Sequence, residues 1–129
     1  MANPPDTLDA QLNSLYQAYA QQIPNKVSQI EDAWVQVPVN SWDGESFKTL
    51  HRLTHSLNGT TGSFGFMAVS EAAQPLEALF KSLMRGTTAA TEEQRQQINA
   101  MLLMLKRAAA EAKQSALTMP GLPTAPRAK

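Results

Sequence analysis

The sequence predicts an all-α protein: an antiparallel four-helix bundle with an additional N-terminal helix. Three observations carry that reading. Apolar residues recur at spacings of three and four along most of the chain, the period of one helix face. Almost nothing alternates with the period of two that a strand requires. Short stretches rich in Pro and Gly divide the periodic runs into pieces joined by short loops.

The first piece covers residues 7–23, where Leu8, Leu12, Leu15, Tyr19 and Ile23 form one stripe. Pro24 fits the first turn of a second helix, where its missing N–H costs nothing, and Val27, Ile30, Trp34 and Val37 make that helix's apolar face. Pro38 to Asp43 is a connector. The third helix carries Phe47, Leu50, Leu53 and Leu57 inward and stops at Gly65. Val69, Ala73, Leu76, Phe80 and Leu83 form the next stripe, which ends near Gly86 and contains Pro75. Thr91 followed by Gln94 reads as a capping box for a last helix, with Ile98, Met101, Leu105, Ala109 and Ala112 facing in. Residues 1–117 thus form one domain. Residues 118–129, with three prolines and a glycine, read as a flexible tail or linker.

Composition narrows the function. At 129 residues there is room for one domain with a small core. Eleven basic and eleven acidic residues cancel, so no global field draws in nucleic acid or a membrane surface. Without cysteine there are no disulfides and no thiolate metal sites. The N-terminus lacks the basic and apolar regions of a secretory signal, and no apolar run approaches the roughly 20 residues needed to span a bilayer. The expectation is a soluble, cytoplasmic protein.

The most informative segment is His51–Gly65, HRLTHSLNGTTGSFG. Each helical residue turns by about 100°. Relative to Leu50, the side chains of Phe47, Leu53 and Leu57 fall within about 60°, which defines the core stripe. His55 then points about 140° away, His51 about 100°, Asn58 about 80° and Gly59 about 180°. Lys48 and Arg52, at about 160° and 200°, bracket His55 with positive charge. A histidine turned from the core, with bare Gly59 one turn later, is open to another molecule.

The segment H-S-L-N-G-T-T-G-S-F-G-F, with P-L-E-A-L-F following in an amphipathic run, resembles the histidine phosphotransfer (Hpt) domain. It is also similar to the phosphotransfer domain of chemotaxis histidine kinases. The resemblance places His55 at the phosphoacceptor position, Leu57 at the core leucine, Gly59 at the close-approach glycine and Gly65 before the next helix. Leu76 and Glu77 match a downstream L-E pair. The family's usual lysine three residues after the histidine is Asn58 here, an amide that donates a hydrogen bond but brings no charge. His51, Asn58 and Gly59 are the expected neighbours of the phosphoryl group, and Lys48, Arg52 and Gly62 the expected docking residues.

The resemblance implies a phosphorelay intermediate, fed by an upstream sensor histidine kinase and exchanging its phosphoryl group with the aspartate of a response-regulator receiver domain. The receiver would bring the Mg²⁺ and a lysine, so this chain is expected to need no cofactor or metal of its own. It is also expected to be a monomer. Nothing resembles an ATP-binding module, so no autonomous kinase activity is expected: Gly59, Gly62 and Gly65 follow no strand and precede no G-K-[ST]. Two other readings compete. One is a non-catalytic helical interaction module. The other is a metal-binding bundle built on His51 and His55 at i, i+4, although two imidazoles alone make a weak site.

Overall fold

The structure, a computed structural model, describes residues 8–118. The Pro-rich segment from 119 to 129 lies outside the described residues. Four helices follow one another: α1 (Leu8–Val35), α2 (Gly44–Phe64), α3 (Met67–Arg85) and α4 (Glu92–Thr118). Each packs on the next, and α4 returns to α1. With connections this short, consecutive helices must run antiparallel, which gives an up-down-up-down bundle. Phe47, Phe80, Ile23, Ile30, Leu50, Leu57, Leu76, Ile98 and Leu105 fill its centre, all fully buried.

The N-terminal half departs from the sequence expectation. Among the described residues there is no additional N-terminal helix: residues 8–23 and the segment from Pro24 to Val35 belong to the single helix α1. Pro24 costs α1 one backbone hydrogen bond, to the Ala20 carbonyl. The apolar stripe outweighs that loss, because Tyr19, Ala20, Ile23, Val27, Ile30 and Trp34 stay in phase across the proline and are all buried.

The stripe also starts later than its spacing suggested. Leu8, Leu12 and Leu15 are exposed, and Tyr16 is the first residue of α1 packed against the core. The reason is length. The 28 residues of α1 span about 42 Å, whereas the 19 residues of α3 span about 28 Å. Tyr16 stacks on Phe66 and Tyr19 on Phe64, with ring centroids 4.6 and 4.9 Å apart, at the turn where α2 ends. The leucines before Tyr16 have passed that turn.

Local chemistry fixes the ends of the other helices. Asp43 caps α2, its carboxylate accepting from the backbone N–H of Glu45 and Ser46 and from the Ser46 hydroxyl. Gly65 ends α2 in the left-handed conformation (φ 86°). Its N–H reaches the Gly62 carbonyl and the Phe66 N–H reaches that of Thr61, the paired bonds of a Schellman turn. Thr91 and Gln94 form the capping box of α4, each side chain bonding the other's backbone N–H at 3.0 and 2.9 Å. Trp34 ties α1 to α4: its indole N–H donates to Asn99 (2.9 Å), and the Arg95 guanidinium lies over the ring.

Trp42 closes the open end of the α2–α3 pair. Its indole N–H donates to the Leu83 carbonyl near the end of α3 (2.9 Å), and its ring lies across Gly44, the first residue of α2. A methyl group at Gly44 would meet the indole ring, with Cζ2 only 2.8 Å away. Gly44→Ala is therefore predicted to destabilise the bundle by about 1–3 kcal/mol, the usual cost of overpacking, although alanine is the better helix former. Urea unfolding of Gly44→Ala in the wild-type and Trp42→Ala backgrounds checks this. The penalty should vanish once the indole is gone; a penalty that persists would place its origin elsewhere.

Candidate functional site

The α2–α3 hairpin brings the site together by counting alone. In an antiparallel pair, residues equally far from the turn lie at the same level. Gly62 and Ser70 are four residues either side of Phe66, and a Cβ built on Gly62 would be 3.5 Å from the Ser70 hydroxyl. His55 and Glu77 are eleven residues either side, and they meet as well: His55 Nδ1 is 2.7 Å from Glu77 Oε2. The core stripe of α2 turns Leu50 and Leu57 inward, leaving His55 on the open side with 70% of its side chain exposed. Glu77, on the flank of the buried Ala73–Leu76–Phe80 stripe, is 19% exposed.

Glu77 is the centre of the arrangement. Its Oε2 faces His55 and lies 3.8 Å from His51 Nε2, and its Oε1 accepts from the Asn58 amide at 3.0 Å. The two imidazoles lie roughly parallel, with centroids 5.9 Å apart. Burial alone would push the Glu77 carboxyl up. The Asn58 and His55 hydrogen bonds and the charges of the two histidines together outweigh it, so the pKa is held below the ordinary 4.5. A carboxylate only accepts, so the facing His55 nitrogen must carry the proton. That leaves Nε2 with a free lone pair, and Nε2 is the ring atom not engaged by Glu77.

An oriented, exposed imidazole can act as a nucleophile through the ring nitrogen that carries no proton. The approach to it is open. A Cβ at Gly59 would meet nothing within 4 Å. Lys48 and Arg52 are exposed on the same side of α2, and Lys81 and Arg85 are exposed on α3 at one and two turns beyond Glu77. The geometry suits group transfer to a ring that is 70% exposed and within reach of a second molecule.

The family model for the Hpt domain matches residues 14–111. The chain belongs to the Hpt family. Hpt domains work in phosphorelays of two-component signalling, where they exchange phosphoryl groups with kinases and response regulators, and membership gives this chain that general role. No curated protein and no solved structure matches it. Among the described residues of this Hpt domain, no helix is long and apolar enough to cross a membrane.

The structure distributes the sequence-derived residues unevenly. His51, His55 and Asn58 converge on Glu77, and Gly59 lies open beside them. Gly62 is half-buried beside α3, where an added Cβ would make an ordinary contact with the Ser70 hydroxyl at 3.5 Å. The Asn58 amide nitrogen is directed at Glu77, which engages one of its two N–H donors. The sequence reading assigned no role to Ser70 and treated Glu77 only as part of a matching pair. The equal counts either side of Phe66 would have placed Glu77 opposite His55. Ser70 was detectable only as a polar residue in line with the apolar run at Val69 and Ala73. Among the described residues, no group of three or more His, Cys, Asp or Glu side chains is disposed to hold a metal ion.

Because its folded pKa is depressed, Glu77 contributes stability that is in place above its unfolded value and is lost as pH falls through the folded value, below 4.5. The ¹³C NMR titration of the Glu77 carboxyl carbon should accordingly give a midpoint below 4.5. Asn58→Ala, which removes the bond from the amide, should raise that midpoint. A wild-type midpoint at or above the ordinary value would refute this account of the charge balance.

Proposed function

We propose that His55 is the phosphoacceptor of this Hpt domain and exchanges its phosphoryl group with the aspartate of a response-regulator receiver domain. The observation that carries the proposal is the 2.7 Å contact between His55 Nδ1 and Glu77 on an otherwise exposed ring. In the transfer, the Nε2 lone pair attacks the phosphorus of the receiver's aspartyl phosphate. A P–N bond forms, the P–O bond to the aspartate breaks, and the aspartate leaves as carboxylate. The ring gains positive charge as the P–N bond forms, because Nδ1 keeps its proton. Glu77 stabilises that charge and holds the ring in place, the part a buried aspartate plays beside a catalytic histidine in hydrolases. The reverse reaction uses the same contacts.

Positioning and charge neutralisation dominate phosphoryl transfer. In this reading the receiver supplies its own Mg²⁺ and lysine, and the Hpt side supplies a prepared nucleophile. Lys48 and Arg52 form a basic rim that speeds association with an acidic receiver pocket. An upstream sensor histidine kinase is the ultimate donor, and the domain works as a cytoplasmic monomer.

Incubation with a phosphorylated receiver and Mg²⁺ tests the proposal. An acid-labile, alkali-stable label should appear on the wild-type protein and be absent from His55→Gln, with the helical signal unchanged. His51→Gln should lower transfer no more than a few-fold, since its ring is half-buried and touches Glu77 only at 3.8 Å. Full labelling of the His55 variant would overturn the assignment.

Gly59 offers an independent check. Alanine there should stabilise α2 by about 1 kcal/mol, because its Cβ meets no neighbour. Gly59→Glu should fold yet accept no phosphoryl group, since it places bulk and negative charge beside the incoming anion. A Gly59→Glu protein that is folded and transfers at the wild-type rate would rule out close approach over this glycine.

A further inference from the structure

Asn58 occupies the place where an Hpt domain usually has a lysine, and the structure ties it to a side chain on α3. The Ser70 hydroxyl is 2.5 Å from Asn58 Oδ1, and the Asn58 amide nitrogen is 3.0 Å from Glu77 Oε1. Ser70 is almost fully buried and Asn58 half-buried. The direction of each bond follows from Glu77. Its carboxylate can only accept, so the Asn58 –NH₂ must face it and the Asn58 oxygen must face Ser70. The Ser70 hydroxyl therefore has to donate. Its other acceptor, the Asn58 backbone carbonyl, is 3.5 Å away, at the limit of a useful bond.

We propose that Ser70 and Asn58 are positioning residues for His55: Ser70 fixes the Asn58 amide, the amide fixes the Glu77 carboxylate, and the carboxylate holds the Nδ1–H tautomer that leaves Nε2 free. The inference rests on the reading of His55 as phosphoacceptor and extends it to the Asn58 side chain and to Ser70 on α3. Asn58 thereby trades a direct charge on the phosphoryl oxygens for a rigid hold on the group that orients the nucleophile. Without Ser70, the amide loses the partner that fixes its rotamer. Without the Asn58 –NH₂, Oε1 of Glu77 has no donor from α2, and the carboxylate can turn toward His51, whose Nε2 is already 3.8 Å from Oε2.

The test reads the tautomer directly and needs no phosphoryl donor. Long-range ¹H–¹⁵N spectra of the full chain, recorded at a pH where the imidazoles are neutral, report the Nδ1–H to Nε2–H ratio of His55. His55→Gln supplies the assignment. The wild type should be predominantly Nδ1–H. Ser70→Ala and Asn58→Asp should each lower the ratio about three- to tenfold, the effect of losing one hydrogen bond, while circular dichroism stays unchanged. Ser70→Thr keeps the hydroxyl and should restore the wild-type ratio, which a purely packing role for Ser70 would not predict. A ratio unmoved in folded Ser70→Ala and Asn58→Asp overturns the proposal, as does a wild-type His55 that is mainly Nε2–H. Transfer from a phosphorylated receiver is measured on the same samples, so a failure of the phosphoacceptor reading is seen separately from a failure of the tautomer chain.

Discussion

A carboxylate accepts hydrogen bonds and never donates them, and in this bundle that limitation organises the surface around His55. Glu77 is mostly buried, with His55, Asn58 and His51 all directed at it. Burial would favour the neutral acid, but the donors around it favour the charged form and win. Once the carboxylate is charged, the proton of His55 belongs on Nδ1 and the amide of Asn58 has only one workable orientation. The exposed nitrogen that remains is thus set by a group on the neighbouring helix rather than by anything on α2. The machinery is sparse, as suits a domain whose proposed partner completes the reaction.

That chemistry depends on the register of α2 against α3. Gly65, in the left-handed conformation that glycine adopts without cost, stops α2, and Phe66 begins the return. The aromatic rings of Tyr16 and Tyr19 clamp Phe66 and Phe64 at this turn. At the far end, Trp42 bonds the last part of α3 and covers the start of α2. Between these two fixed points the buried Leu50, Leu57, Leu76 and Phe80 set the rotation of each helix. A slip of one residue would turn Glu77 by about 100° and break the contact with His55. Packing energy is in this sense what keeps His55 against Glu77.

Much of this was legible in the sequence, and the failures have physical causes. The apolar stripes of α2, α3 and α4, the capping box at Thr91 and the stop at Gly65 are local signals, and local signals decided those elements. Pro24 misled because a proline suits a first helical turn, whereas here the stripe from Tyr19 to Trp34 carries the helix past it. Leu8, Leu12 and Leu15 misled because periodicity reports a face and not what covers it; α1 outruns the α2–α3 hairpin. At the site, the exposure of His55 and the open space at Gly59 were legible from one helix wheel. The contacts of Glu77 and Ser70 were not, because they arise only when two helices meet. Asn58 shows the same limit: as a residue type it looked like a weakened lysine, and its contacts with Glu77 and Ser70 could not be read from α2 alone.

The most direct measurement of the central claim is the position of phosphorylation on the His55 ring. If Glu77 holds the proton on Nδ1, the phosphoryl group must arrive at Nε2. ³¹P and ¹⁵N NMR of the phosphorylated full chain distinguish the two phosphohistidine isomers. The account predicts a single isomer, phosphorylated at Nε2 of His55, with a proton retained on Nδ1. Phosphorylation at Nδ1, or a mixture of the two isomers, would contradict it.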